Sequence, residues 1–216
     1  MTTRAAIILI LLAFTALGDA DEGPWQTIEE VLAVVGNTPI LHSDVELARI
    51  LRLVDREPME ADAPFRRRLL DARIQLEIEF RDLEETGLLY RLELETERVR
   101  QSLIDRVGGE EPLRASLVEH GLVWPDIDEV VLRMAAVEAY VQQRLRPRVS
   151  VTAEEIEGAY QELLVNEIAA ANEPIPPLSV VRDRLYEILI GRKLNEEIER
   201  WLERAASRQE VTRFGG

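Results

Sequence analysis

The residues best suited to catalysis are His42, Ser43 and Asp44, which follow one another directly in the chain. A hydrolase triad uses these three residue types as base, nucleophile and orienting carboxylate. Neighbouring side chains diverge from the backbone, so three consecutive residues cannot form that arrangement. Ser43 and Glu46 instead have the spacing of a helix capping box. We therefore interpret these residues as the end of a strand followed by the start of a helix.

The second histidine, His120, precedes Gly121 at a predicted helix end, where a positive charge interacts favourably with the helix dipole. Two isolated histidines and no cysteine argue against a zinc site. The lack of cysteine also excludes disulfides and thiol catalysis. The enzymatic alternative that these residues leave open is a hydrolase that uses His42 or His120.

Adjacent glutamates occur five times, and paired carboxylates are the usual machinery of acid–base catalysis. Such pairs need one shared cleft and two different environments, whereas these lie at predicted helix starts or on polar helix faces. We interpret them as solvated surface. The pairs are Glu29-Glu30, Glu84-Glu85, Glu110-Glu111, Glu154-Glu155 and Glu196-Glu197. The sequence also has no phosphate-binding or dinucleotide glycine motif and no nucleophile elbow. We predict no catalytic residue, no cofactor and no metal.

The composition favours one helical domain with an acidic surface. The 216 residues include 46% hydrophobic but only 5% aromatic residues, which is typical of amphipathic helices with aliphatic cores. Acidic residues outnumber basic ones by 41 to 26, which gives a formal net charge of −15. Because phosphate recognition needs a basic surface, we predict that nucleic acid is not a partner.

The first twenty residues have the pattern of a secretory signal peptide. Arg4 precedes the apolar run from Ala5 to Leu17, and small residues follow at Gly18 and Ala20. A membrane-spanning helix needs about 20 apolar residues, so a retained anchor is the weaker alternative. We predict a signal peptide over residues 1–20, a mature domain over 21–216, a periplasmic location and no integral span after cleavage.

The remaining chain predicts a mainly α fold with short strands at its two ends. Apolar runs on either side of Gly36-Asn37 predict a hairpin over 28–41. Helices are expected over residues 43–54, 65–86, 95–107, 112–120, 125–145, 152–171 and 178–207. In the segment 65–86, Ile74, Leu76, Ile78 and Phe80 alternate as in a strand, but its length without Gly or Pro favours a helix.

Residues Val211 to Phe214 predict a final strand, which is too short to be stable alone. The N-terminal hairpin is its only candidate partner, so we expect the two ends of the chain to meet. A single domain would then comprise residues 25–171 and 178–214, joined by the proline-rich connector 172–177.

Trp124, Met134 and Tyr140 are the residues that we predict to contact an extended peptide. They lie on or beside the apolar face of the helix expected over 125–145. Aromatic and methionine side chains suit a groove that binds peptides. The alternative for each of them is a place in the core.

Three segments resemble the SurA-type periplasmic chaperones. Val31-Leu32-Ala33-Val34-Val35-Gly36-Asn37, with Ile40-Leu41 and Ser43-Asp44-Val45, resembles the hairpin and helix that open that family. Val149 to Ile156, with Tyr160, resembles the segment that enters the family's parvulin prolyl-isomerase domain. Val181 to Leu185, with Lys193 to Asn195 and Trp201-Leu202, resembles the family's long C-terminal helix.

The resemblance implies an ATP-independent periplasmic protein that holds unfolded chains, mainly precursors of outer-membrane β-barrels. It also implies that the hairpin, the helices and the C-terminal helix and strand form one chaperone core. In the family a parvulin domain separates the last two helices, whereas here only Gln161 to Pro177 fill that place. Seventeen residues cannot bury a catalytic core. We therefore expect a non-enzymatic chaperone; an isomerase-family enzyme or a structural subunit of an envelope complex is the alternative.

Overall fold

The computed structural model describes residues 29–165 and 176–214, and its elements lie in a compact unit that begins at Val31. The predicted signal peptide and most of the connector 172–177 lie outside the described residues. The strands are β1 (Val31–Val35), β2 (Thr38–Leu41) and β3 (Val211–Arg213). The helices are α1 (His42–Ile50), α2 (Asp62–Glu85), α3 (Thr96–Arg106), α4 (Glu110–Glu119), α5 (Trp124–Tyr140), α6 (Ala153–Ala159) and α7 (Leu178–Ala206). The predicted mainly α class is confirmed.

Shorter helical turns complete the described chain. Two of them are 3₁₀ turns, at Leu89–Arg91 and Arg146–Arg148. The other two are π-helical: Val141–Leu145 continues α5, and Tyr160–Val165 continues α6. The expected helix over 125–145 therefore changes its hydrogen-bonding pattern after Tyr140.

The three strands form one antiparallel sheet in the order β2-β1-β3. Val34 lies opposite Thr212, and the Gly36 N–H donates to the Glu210 carbonyl at 2.7 Å. The expected meeting of the two chain ends is thus confirmed. Gly36 has a φ of +59°, and a Cβ there would lie 2.8 Å from the Arg81 guanidinium. The turn therefore favours glycine for its left-handed conformation, and a side chain there would also displace the Arg81 guanidinium.

Helix α2 runs through the middle of the fold and contacts the sheet, α1, α5 and α7. Ile74 and Ile78 pack against the sheet, while Phe80 packs with residues of α5 and α7. Leu76 packs against the largest cluster, which α1, α3, α4 and α5 build. The strand-like alternation in this segment therefore arises because α2 has apolar neighbours on several sides.

The start of α1 corrects the predicted capping box. The helix begins at His42, and the Asp44 carboxylate, rather than Glu46, accepts the Leu41 N–H at 2.8 Å. Glu46 instead pairs with Arg49 at 2.7 Å. The reason is that the chain passes from β2 into α1 without a linker, which moves the third helical residue to Asp44.

Two polar residues of α2 bind both the N-terminal hairpin and the C-terminal helix and strand. The Arg81 guanidinium donates to the Asn37 side chain at 2.7 Å and to the Gln209 side chain at 3.0 Å. The neighbouring Asp82 accepts the Trp201 indole N–H at 2.8 Å and pairs with Arg208. The N-terminal hairpin and the C-terminal helix and strand are thus held by adjacent residues of one helix.

Replacing Glu79 on α2 should raise the free energy of unfolding, and the size of this gain should depend on pH. Burial raises the pKa of this carboxyl above its ordinary value, although the Gln75 amide donates to it at 3.0 Å. A raised pKa in the folded state means that stability is lost as the pH rises through that value. Glu79→Gln should therefore stabilise the protein by on the order of 1 kcal/mol at pH 7. Urea unfolding of the variant and of the unsubstituted chain should show this gain at pH 7 and little gain at about pH 4. An equal gain at the two pH values would contradict the raised pKa of Glu79.

Candidate peptide-binding surface

The three predicted peptide-binding residues lie at different levels of α5, from its first residue to its last. Trp124 is half-buried at the start of the helix, and the centre of its ring lies 4.2 Å from the Arg114 guanidinium carbon. Met134 is half-buried against the largest core cluster. Tyr140 is buried, with its ring centroid 4.6 Å from that of Trp201. Tyr140 is therefore a core residue, which was the alternative, because α7 covers its ring.

The described residues expose ten large apolar side chains, and three of them lie on the first half of α7. These three are Val180, Tyr186 and Ile188, with exposed fractions of 71%, 40% and 45%. The other seven are spread over the rest of the fold: Val31, Met59, Tyr90, Val118, Val123, Leu132 and Phe214. The first half of α7 therefore carries more exposed large apolar side chains than any other described helix, with Tyr186 and Ile188 on its two flanks.

This half of α7 pairs with α6 and its π-helical continuation to form a two-helix arm, defined here as residues 151–165 and 176–190. The arm has a small apolar core of its own, separate from the clusters of the body. That core consists of Ile156, Ala159, Leu185 and Leu189, with Val151, Tyr160, Leu178 and Val181 half-buried around it. The Tyr160 hydroxyl donates to the Pro176 carbonyl at 2.9 Å and so links the two segments of the arm.

A charged contact fixes the base of the arm. Lys193, the only lysine, pairs with Glu155 at 2.6 Å and donates to the Ser150 carbonyl at 2.8 Å. Glu155 also accepts the Thr152 N–H at 2.9 Å and completes the capping box at the start of α6. The Lys193 hydrogen bond and the Thr152 N–H lower the pKa of the Glu155 carboxyl. Sequence reasoning missed Lys193, because a lone basic residue does not reveal a partner 38 residues away.

The polar contacts of both histidines fit structural roles. The His42 ring lies 3.2 Å from the Arg66 guanidinium. The His120 ring contacts the Ser116 carbonyl at 2.7 Å and the Arg49 guanidinium at 2.8 Å. Within the described ranges, no group of three His, Asp or Glu residues is placed to hold a metal ion.

No model of a known protein family matches the chain, and no curated protein matches it by sequence. In the part of the chain that the structure describes, no helix has the length and hydropathy needed to cross a bilayer. Function must therefore be inferred from the arm and from the motifs of the sequence.

Proposed function

We propose that this chain is an ATP-independent chaperone-type protein that binds unfolded or extended polypeptides, such as outer-membrane protein precursors, in the periplasm. The observation that carries the proposal is the arm, which presents Val180, Tyr186 and Ile188 to solvent on a helix with its own small core. The motif resemblance to SurA-type chaperones and the signal-peptide pattern support the same function.

The energetics of such a surface suit transient binding. At about 25 cal/mol per Å², burying a few hundred Å² of apolar surface yields several kcal/mol before the costs of ordering. Those costs reduce the net affinity to weak, reversible binding, which allows release without a nucleotide cycle. A small core also gives the arm few buried contacts, so it can adjust to different clients at low energetic cost. The net charge of −15 would keep a loaded carrier soluble.

We also propose that the chain has no prolyl-isomerase activity. The π-helical turn that continues α6 ends at Val165, and α7 begins at Leu178. Only residues 166–177 join them, which is far too short a segment to fold as a separate domain. The arm therefore occupies the place at which the resembled family carries its isomerase.

Replacing Val180, Tyr186 and Ile188 together by serine should remove most of the chaperone effect. The substitutions take away exposed apolar surface while leaving the arm's buried residues in place. We expect several-fold weaker suppression of aggregation, measured by light scattering of an unfolded outer-membrane protein diluted out of urea with and without the full chain.

A matched control removes apolar surface elsewhere. Val118 and Val123, exposed to 77% and 58%, lie at the end of α4 and in the turn before α5. Their double serine variant should suppress aggregation as well as the unsubstituted chain does. Equal loss in both variants would contradict a special role for the arm. A proline-isomer exchange assay of the unsubstituted chain should show no exchange, and exchange without suppression would favour the enzymatic alternative.

A further inference from the structure

The three-stranded sheet has two outer edges, and the edge at β2 is closed to further strands. Pro39 in β2 has no N–H, and proline is typical of protected sheet edges. The Leu41 N–H at the end of β2 is already donated to the Asp44 carboxylate at 2.8 Å. Neither position therefore offers a backbone donor to another strand.

The opposite edge, at β3, is open. The Glu210 carbonyl accepts the Gly36 N–H, and the Phe214 N–H donates to β1 at 2.9 Å, so every second residue of this segment bonds to β1. Val211 and Arg213 lie at the alternate positions, and their N–H and C=O groups are directed away from β1. No hydrogen bond joins these four groups to another residue that the structure describes. The edge thus offers unpaired donors and acceptors of the kind that pair with an incoming strand.

The side chains of β3 leave this edge accessible and partly apolar. Thr212, Arg213 and Phe214 are exposed, whereas Val211 is half-buried against the cluster between the sheet and α2. Arg213 pairs with Asp71 of α2 at 2.6 Å, so its charge is compensated within the chain. An added strand would lie beside Phe214, which is 47% exposed.

We propose that an extended segment of an unfolded polypeptide adds to the free edge of β3 as a fourth strand. The inference rests on the proposed function, because it names how the client is held. Main-chain hydrogen bonds give such strand addition its affinity, so it accepts clients of many sequences. Precursors of β-barrels contain short segments of alternating apolar and polar residues, which suit an extended strand.

A second copy of the chain fits this edge less well than a client does. Each copy has a net charge of −15, so two copies repel each other. β3 has only three residues, and so short an edge buries far less than the roughly 1,200 Å² of a stable interface. A long unfolded client can instead bind the edge and the arm together, because α7 carries the arm at its start and leads into β3 at its end.

The test uses the full chain with Val180, Tyr186 and Ile188 replaced by serine, so that the arm contributes little to binding. The probe is a fluorescein-labelled peptide of alternating valine and threonine, and fluorescence anisotropy gives its dissociation constant. Arg213→Pro removes an outward N–H and leaves the bonds between β3 and β1 in place. Arg213→Ala is the matched control, because it removes the same ion pair with Asp71 but keeps the N–H. The proline variant should bind the peptide about fivefold more weakly than the alanine variant, the usual effect of one lost hydrogen bond.

A second probe decides the matter if circular dichroism shows that the proline variant does not fold. The same peptide with N-methyl groups on its central amides keeps its side chains but cannot donate to the β3 carbonyls, so it should bind several-fold more weakly. Equal binding of the two peptides, or equal effects of the two Arg213 variants, would overturn the inference. A dimer in analytical ultracentrifugation that Arg213→Pro dissociates would also overturn it, because a second copy would then occupy the edge. If the unsubstituted chain still suppresses aggregation through the arm in these cases, the inference alone fails; if it does not, the proposed function fails as well.

Discussion

Replacement of Trp201 by alanine should lower the free energy of unfolding by about 3–5 kcal/mol, the usual cost of deleting a large buried aromatic. Trp201 is almost fully buried on α7, against Tyr140 and beside Leu83 of α2. Its indole N–H donates to the buried Asp82 carboxylate at 2.8 Å. The substitution would leave a cavity among α2, α5 and α7 and would also deprive Asp82 of a hydrogen bond.

Urea unfolding at neutral pH measures this loss, and two variants separate its parts. Trp201→Phe keeps most of the apolar volume and removes the N–H, so it should cost only about 1–3 kcal/mol. Tyr186→Ala removes a partly exposed aromatic from the same helix and should cost less than Trp201→Ala. A loss below about 1 kcal/mol for Trp201→Ala would show that α7 is not fastened to α2 in this way.

Replacement of Glu77 by alanine should cost about 3–5 kcal/mol, because it leaves a buried charge without its partner. Glu77 on α2 is almost fully buried and pairs with Arg133 of α5 at 2.7 Å. The Arg133 guanidinium also lies 4.9 Å from the centre of the Phe80 ring and is itself buried. Arg133 also pairs with Glu129 at 2.8 Å. Because Glu129 is exposed, this second pair compensates only part of the Arg133 charge.

The double variant Glu77→Leu with Arg133→Met separates the effect of an unpaired buried charge from the effect of lost apolar packing. Apolar residues of similar volume often replace a buried ion pair without loss, so the double variant should be much more stable than Glu77→Ala. A thermodynamic cycle built from the single and double variants measures the coupling of the two residues. A coupling near zero would contradict the buried pair.

The local signals of the sequence were sufficient for the elements of the fold. Gly36-Asn37 marked the hairpin, because turn residues act over a few neighbours. The final strand required a partner, and only the hairpin could supply one. These steps predicted the sheet before any contact was known.

The polar contacts inside the fold could not be predicted in the same way. Asp82 and Trp201 are separated by 119 residues, and Glu77 and Arg133 by 56. A carboxylate on a helix is predicted to be exposed unless its distant partner is known, and among the described residues only Glu77, Glu79 and Asp82 are buried carboxylates. The buried charges of α2 were therefore missed.

The candidate site shows the same limit. An apolar stripe on a helix does not tell a groove from a core: Tyr140 is buried, whereas peptide contact by the half-buried Trp124 and Met134 stays a prediction. On α7, Leu185 and Leu189 form a buried stripe, whereas Ile188 beside them is 45% exposed. Val180 also lies off that stripe and is exposed. Apolar residues in excess of one stripe were the signal that could have pointed to the arm.

Hydrogen–deuterium exchange of the full chain, with and without an unfolded outer-membrane protein, tests the binding surface most directly. We predict that amides of residues 151–165 and 176–190 exchange more slowly when the client is present, while those of β2 and of α2 stay unchanged. Unaltered exchange throughout the arm while the client is held in solution would show that the chain binds elsewhere and would contradict the proposal.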